Sequence, residues 1–395
     1  MSSPAAKSPF VAIACGGTGG HLFPGLAVAE QLKKRGCDVA LLISPKDVDQ
    51  QAVKSVIGMG IFTLPAVALQ NRNYFSFAAS FWRSWRAAKK IFRARPPQAV
   101  LAMGGFTSAP PILAGNAFGA KTFLHESNTI PGRANRFLAR FVNEAFVGFA
   151  ETATRLRARK ITATGTPVRP QFSPTQSGKQ SVFGHRATLC LDPHLPTVLV
   201  VGGSQGASGL NEIILSVLPL LKEKNWQWLH LTGTADFEKI EAAYATLGIR
   251  AEVRPFLAEM DLALGAATAA VSRAGASSLS EIAAMRLPSL LVPYPAAADN
   301  HQFFNASVFE TTGAAKLLGQ KNSSPEKAAA ILTALIEDEP ARVEMQSALA
   351  QWHAPASAEQ IAGIILDTIA QPATARASAR KCNCGHAHGS AKHAH

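Results

Sequence analysis

Twice in this chain a short apolar run ends in a glycine cluster and a helical stripe follows at once: "FVAIACGGTGGHLFPGLAVAEQL" from Phe10, and "PTVLVVGGSQGASGLNEIILSVLPLL" from Pro196. In the first copy Leu22, Leu26, Ala29 and Leu32 share one helical face that stops at Gly36, and "DVALLI" then reads as a second buried strand. In the second copy Leu210, Ile214, Val217 and Leu221 share such a face. A strand, tight loop, helix and strand in succession can only close as a parallel sheet with helices packed on it, so the fold class is α/β. Further strands are expected at "QAVLA", "KTFLH", "EAFVG" and "ITATG" with the first copy, and at "WQWLHL", "AEVRPF", "TAAVS" and "PSLLVPY" with the second.

Between the copies lies "TGTPVRPQFSPTQSGKQS", Thr164 to Ser181, rich in Pro, Ser and Gly, which marks a boundary. The expected division is an N-terminal Rossmann-like domain over 8–166, a linker and domain entry over 167–194, and a second Rossmann-like domain over 195–370. The last helix of that second domain is free to pack back on the first. A low-complexity Cys/His-rich tail covers 371–395. Such a pair places a cleft between the carboxyl ends of two sheets, where ligands of this architecture bind.

With 395 residues, 47% of them hydrophobic, the chain can bury two ordinary cores and is not generally disordered. Lys and Arg outnumber Asp and Glu by 39 to 26, so the surface attracts anions: nucleic acid, an anionic membrane or phosphorylated substrates. Of five cysteines, Cys15, Cys37 and Cys190 lie in apolar or strand-like segments, which fits a reducing cytoplasm better than a disulfide framework. "MSSPAAKSPF" lacks the apolar centre of a signal peptide. The uncharged run from Ala99 to Ala120 holds Pro110 and Pro111 and reads as strand, loop and buried helix rather than a membrane span. A soluble or peripheral protein is expected.

Three glycine loops, "GGTGGH", "MGGFTSAP" and "GGSQGA", stand at strand ends. Such a turn brings backbone N–H groups and a helix N-terminus to an anion, and phosphate is the default ligand. The first lacks the final glycine of the dinucleotide fingerprint, Asp38 opens the second strand rather than closing it, and no Walker lysine follows any loop. Two loops in the first domain and one in the second suit a group transfer between a nucleotide and a phosphorylated acceptor. Asp47-Val48-Asp49 spells a DxD metal motif but lies in a polar segment and reads as a solvated loop.

"GGTGGHLFPGLAVAE", "MGGFTSAP", "HESN", "GTPVR", "GGSQGA" and "RAGASSLSEIA" stand in the order and spacing seen in the MurG family, which the chain resembles from about Phe10 to about Leu366. That family adds N-acetylglucosamine (GlcNAc) from UDP-GlcNAc to lipid I to give lipid II in peptidoglycan synthesis. The resemblance implies a GT-B fold, an inverting and metal-independent mechanism, and no cofactor. It places Thr18, Gly19 and Gly20 near the donor sugar and diphosphate, Asn128 on the GlcNAc, and Arg169 and Ser204 on the donor phosphates. It also places the backbone at Leu257 on uracil, Ala276, Ser277, Ser278, Leu279, Ser280 and Glu281 around the nucleotide with Glu281 on the ribose hydroxyls, and Gln302, or else His301, on the sugar hydroxyls. The partners implied are UDP-GlcNAc, lipid I, the anionic inner membrane surface at its cytoplasmic face, and cell-wall synthesis and division proteins, with no nucleic acid. The chain departs from the family at Thr166, where Asn is commoner, at Ser127 for Gln, at Phe106 for Tyr, and at Cys190 for Gly.

An inverting transfer needs a base for the proton of the attacking hydroxyl. His21 and Glu126 are the candidate bases; His125 could orient Glu126 or hold the acceptor phosphate, and His21 could equally hold a phosphate. Phe77, Phe81, Trp85, Ala88 and Phe92 form one helical stripe, packed on the sheet, with Arg83, Arg86, Lys89, Lys90, Arg93 and Arg95 around it and Tyr74, Phe75 and Trp82 beside it. That combination suits an anionic membrane surface. Cys382, Cys384, His386, His388, His393 and His395 match no closed zinc site. The alternatives are a related GT-B enzyme with another lipid acceptor, and a basic nucleic-acid-binding protein; for the latter no RNP, zinc-finger or helix-turn-helix signature is present.

Overall fold

The computed structural model describes residues 8–54, 56–65, 74–173, 179–203 and 208–371. Its strands form two sheets, and every strand pair in both is parallel. The first sheet contains β1 (Phe10–Ala14), β2 (Asp38–Ile43), β3 (Gly60–Thr63), β4 (Ala99–Ala102), β5 (Lys121–Glu126), β6 (Glu144–Val147) and β7 (Ile161–Ala163), in the order β3-β2-β1-β4-β5-β6-β7. The second contains β8 (Thr197–Val201), β9 (Gln227–Leu231), β10 (Ala251–Arg254), β11 (Ala269–Ser272), β12 (Ser289–Leu291) and β13 (Lys316–Leu317), in the order β10-β9-β8-β11-β12-β13.

Helices α1 (Gly19–Lys34), α2 (Asp47–Ala52), α3 (Tyr74–Ala94), α4 (Ala109–Ala117) and α5 (Arg133–Leu138) lie among the strands of the first sheet. With the second come α6 (Lys179–Thr188), α7 (Ser208–Leu221), α8 (Phe237–Leu247), α9 (Met260–Ala266), α10 (Ala276–Met285), α11 (His301–Thr311), α12 (Pro325–Glu337) and α13 (Glu339–Ala350). The central strands are apolar on both faces because helices cover both. On one face of the first sheet Leu22, Leu26 and Leu32 of α1 pack with Val11, Ile13 and Leu41. On the other, Phe92 of α3 and Ile112 of α4 pack with Ala12, Val100 and Leu124. The second sheet has one continuous core, in which Leu210, Ile214, Val217 and Leu221 of α7 meet Val198, Leu199, Trp228 and Leu279.

The chain commits to the second core early: Phe172, Leu189 and Leu191 are buried in it, and Arg186 of α6 donates to the Ala266 carbonyl at 2.9 Å. It finally returns. The last helix, α14 (Ser357–Ala370), lays Ala358, Ile361, Ala362 and Ile365 into the core beneath α1. Sequence patterning misses β3 and β13, edge strands of four and two residues that are mostly exposed or half-buried and so lack a core-facing signature.

In each sheet the strand order reverses beside the first strand of its set, between β1 and β4 and between β8 and β11. Ligand sites of open parallel sheets lie outside the carboxyl ends of the strands at such a switch point. The three glycine loops follow β1, β4 and β8, and "RAGASS" follows β11. The three glycine loops therefore leave the sheets at their two switch points.

Candidate active site

The first loop is shaped by its neighbours. A Cβ at Gly16 would collide with the backbone nitrogen of Ser44 at the end of β2, and Gly17 has φ +115°. The Asp49 carboxylate, fully buried, accepts from Gly17 N at 2.6 Å, Ser44 N at 3.1 Å and Ser44 Oγ at 2.5 Å. Lys46 Nζ donates to the Gly17 carbonyl at 2.9 Å and lies over the Phe106 ring. The expectation of a solvated DxD segment is thus corrected: Asp49 lies inside the protein and holds the loop. Among the described residues no group of three metal-ligating side chains is assembled.

Thr18 caps α1, its carbonyl receiving the amides of His21 and Leu22. His21 stands on the first turn with Nδ1 3.0 Å from Thr18 Oγ1. Its ring lies on the second glycine loop, where Gly104 (φ +109°) and Gly105 (φ +76°) leave room: a Cβ on Gly104 would sit 2.9 Å from His21 Cδ2. Burial pushes the His21 imidazole down to about 4; Asp49 opposes the shift, and His301 and Lys46 add to it. The ring is neutral at pH 7, and Nε2 has no hydrogen-bond partner among the described residues.

Glu126 ends β5 and is buried. Its carboxylate accepts from Asn128 N (2.9 Å), Asn128 Nδ2 (3.1 Å), Gly132 N (2.9 Å) and Asn135 Nδ2 (2.8 Å). A carboxylate with four donors organises the loop ahead of α5, and taking a proton would cost it some of them. The other candidate base, His21, is the one with an open nitrogen. His125, one residue earlier on the strand, points to the opposite face and does not orient Glu126. Its Nε2 meets the Gly165 carbonyl at 3.0 Å and its Nδ1 meets Ser127 Oγ at 3.2 Å, and burial pushes it down to about 4.

From the second sheet, α10 begins at Ala276 directly after β11 and reaches the first loop. Ser277 Oγ donates to the Gly20 carbonyl at 2.8 Å. Ser278 shares that first turn, and Ser280 Oγ returns to the Ala276 carbonyl. Leu279 offers a ligand nothing: its side chain is in the core and its N–H is bonded to the Gly275 carbonyl. Burial raises the Glu281 carboxyl to about 7, against the pull of Arg169. Arg169 itself is stacked 4.2 Å from the Phe23 ring of α1 and 5.1 Å from Phe172, with Nε buried and without a hydrogen-bond partner among the described residues.

The Leu257 side chain is buried, so only its backbone in the loop after β10 can meet a ligand. Gln302 Oε1 accepts from Tyr294 N at 2.9 Å, and His301 Nδ1 is 2.8 Å from the Ala298 carbonyl. Ser204 and the tail cysteines and histidines lie outside the described residues. Thr166 and Ser127 both point inward, to Gly148 and His125. Cys190 has φ +61°, the left-handed conformation that explains why glycine is usual there.

Sequence reasoning missed two residues at this junction, Asp49 as a loop anchor and Asn305 as a bridge, because the loops they hold, at Gly17 and Thr129, lie far away in the chain. Asn305 of α11 bonds to Thr129, Asn128 and Ala274, reaching both halves of the cleft.

The glycosyltransferase family 28 N-terminal domain matches residues 11–147, and the C-terminal domain of the same family matches 197–361. The UDP-N-acetylglucosamine--N-acetylmuramyl-(pentapeptide) pyrophosphoryl-undecaprenol N-acetylglucosamine transferase of Xanthomonas axonopodis pv. citri is 35% identical, over 92% of this chain and 83% of its own length. The chain belongs to the MurG family. The transferase of the same name from Agrobacterium fabrum is 32% identical, over 91% of this chain and 94% of its own length. The crystal structure of Acinetobacter baumannii MurG superimposes with a TM-score of 0.71 at 26% identity, covering 91% of this chain and 99% of that one. The MurG-family chain therefore has the GT-B architecture, and the two family domains divide where the sheets divide, β1 to β6 in one and β8 into α14 in the other.

Proposed function

We propose that this chain transfers GlcNAc from UDP-GlcNAc to the C4 hydroxyl of MurNAc in lipid I, giving lipid II at the cytoplasmic face of the inner membrane. The observation that carries the reading is the meeting of the two switch points: the first glycine loop of one sheet is hydrogen-bonded to the first turn of α10 from the other, Gly20 to Ser277. Donor and acceptor held at these loops share one cleft.

In this reading the UDP lies on the second sheet, with uracil at the Leu257 backbone and the ribose hydroxyls donating to Glu281. Arg169 and the helix N-termini there face the diphosphate, where fixed cationic and dipolar groups stabilise the charge that develops as UDP leaves. Asn128 and Gln302 or His301 meet the sugar. The acceptor oxygen attacks the anomeric carbon from the side opposite the diphosphate, its bond forms as the bond to the leaving phosphate oxygen breaks, and configuration inverts. In the tautomer that donates Nδ1–H to Thr18 Oγ1, the Nε2 lone pair of His21 takes the hydroxyl proton. Anionic phosphates close by raise the imidazole from its low ligand-free value toward the working pH, where a base is most effective.

The test is radiolabel transfer from UDP-GlcNAc to a lipid I analogue, with and without chelator. Product is expected in both arms; no product from the wild-type chain overturns the activity, and loss of product with chelator overturns the metal-free mechanism. His21→Ala is expected to lower kcat by roughly 10²–10⁴-fold, the usual contribution of a general base, and to keep UDP affinity. Loss of acceptor affinity with kcat retained would make His21 a phosphate ligand instead.

A further inference from the structure

The side chain of Asn305 is fully buried where the two domains meet, and all of its hydrogen-bonding groups are engaged. Oδ1 accepts from Thr129 N and Thr129 Oγ1, each at 3.0 Å. Nδ2 donates to the Ala274 carbonyl at 3.1 Å and to Asn128 Oδ1 at 3.0 Å. Thr129 and Asn128 lie on the loop after β5 of the first sheet, Ala274 on the loop after β11 of the second.

Two of these partners are main-chain groups of fixed polarity. A backbone N–H can only donate and a backbone carbonyl can only accept, so Thr129 N and Ala274 O set which end of the Asn305 amide faces which way. With Nδ2 turned to Asn128, the Asn128 amide must present its oxygen to Asn305. Its own nitrogen then faces Glu126 Oε1 at 3.1 Å. The orientation of Asn128 is thereby set from both sides of the cleft, and one Nδ2 hydrogen and one Oδ1 lone pair are left for a ligand.

We infer that Asn305 is a positioning residue that orients Asn128 toward the donor sugar and couples that orientation to the closed arrangement of the two domains. This rests on the proposal above that Asn128 meets the GlcNAc. Asn305 does not itself touch the nucleotide, so the sugar contribution to donor binding should depend on it and the UDP contribution should not.

Asn305→Asp keeps size and the acceptor toward Thr129 but sets a carboxylate against the Ala274 carbonyl and Asn128 Oδ1. Calorimetric Kd values for UDP and UDP-GlcNAc, with kcat and KM for transfer, are measured in wild type, Asn305→Asp, Asn128→Ala and the double variant. The expected result is a loss of about tenfold in the affinity of UDP-GlcNAc relative to UDP, the scale of one misdirected buried hydrogen bond. Asn128→Ala should show a similar loss, and the double variant no more than Asn128→Ala alone, since the two act through one contact. Additive losses, or equal weakening of UDP and UDP-GlcNAc, overturn the inference. Asn305→Ser, too short to reach Asn128, is expected to show the same pattern and serves should the aspartate variant not fold. A wild-type chain that binds no UDP-sugar defeats the functional reading and this inference together; a wild type that binds, with variants equal to it, defeats this inference alone.

Discussion

At the residue scale the Glu281 carboxyl is the most telling group of the donor half. Burial raises it to about 7, with Asp261 adding to the rise and Arg169 restraining it. If Glu281 holds the ribose as proposed, its carboxylate accepts from both hydroxyls more strongly than its acid form does, so the nucleotide favours the deprotonated form. The sign follows: below about pH 7 binding must expel a proton, and UDP affinity should fall by up to tenfold for each unit of pH, while above 7 it should level off. UDP carries a titrating phosphate of its own, and Glu281→Gln removes the protein's share without touching it. Calorimetry between pH 5.5 and 8.5 should show a steeper slope in wild type than in the variant; matching slopes would remove Glu281 from the ribose site.

The same scale shows what a sequence can and cannot reveal. Gly16, Gly17, Gly104 and Gly105 were legible because a strand followed by a glycine cluster has few other uses, and the structure gives each a close contact or a positive φ. Asp49 was not. Nothing in its local sequence announces that its carboxylate reaches a glycine 32 positions away. Glu126 was legible as a candidate base, but its four donors come from a loop and helix whose path only the fold defines.

At the scale of elements, α3 changes character along its length. Ala88 and Phe92, toward its C-terminal end, are buried on the first sheet, whereas Phe77, Phe81 and Trp85 are half-exposed, and Phe75 is 93% and Trp82 52% exposed. Arg86 lies over the Trp82 ring and Lys89 over that of Trp85, so the emerging aromatic edge is rimmed by cations. The stripe that periodicity assigned mostly to the sheet thus leaves it near the N-terminal end. No described helix is long and apolar enough to cross a membrane. We propose α3 as a docking face: aromatic edges with basic flanks insert shallowly and are held by anionic lipid, with about 1 kcal/mol per basic residue near the surface. Phe75→Ser with Trp82→Ser is expected to reduce sedimentation with phosphatidylglycerol vesicles at least tenfold at low salt and to leave transfer to a water-soluble lipid I analogue unchanged. Wild-type binding should weaken in high salt, where charges are screened; equal sedimentation of both proteins, or none by the wild type at low salt, would sink α3 as the docking face.

At the scale of the whole molecule the two domains are fastened at both ends of the cleft, and the fastenings differ in kind. Asp299 pairs with Arg136 at 2.6 Å beside the mouth, a half-exposed contact of the sort that contributes little and yields easily. Behind the cleft, α14 belongs by sequence to the second domain and by packing to the first, with Arg35, just after α1, bonded to Glu359 at its start. Ile361 and Ile365 are fully buried there, along with Ala358 and Ala362. Two buried isoleucines alone contribute roughly 3–6 kcal/mol, which approaches the 5–15 kcal/mol that holds a typical domain folded. Ending the chain before Ser357 should therefore uncover the core beside α1 and leave the first domain unable to hold its structure. Ending it after Gln371 removes only the Cys/His-rich tail and should change neither melting temperature nor transferase activity. Thermal unfolding and soluble yield of the two truncations compare these directly. A shorter chain that melts within a few degrees of the full one would mean that α14 is a passenger on the first domain rather than part of its core, and a large activity loss in the longer one would give the tail a role that its spacing of ligands does not suggest.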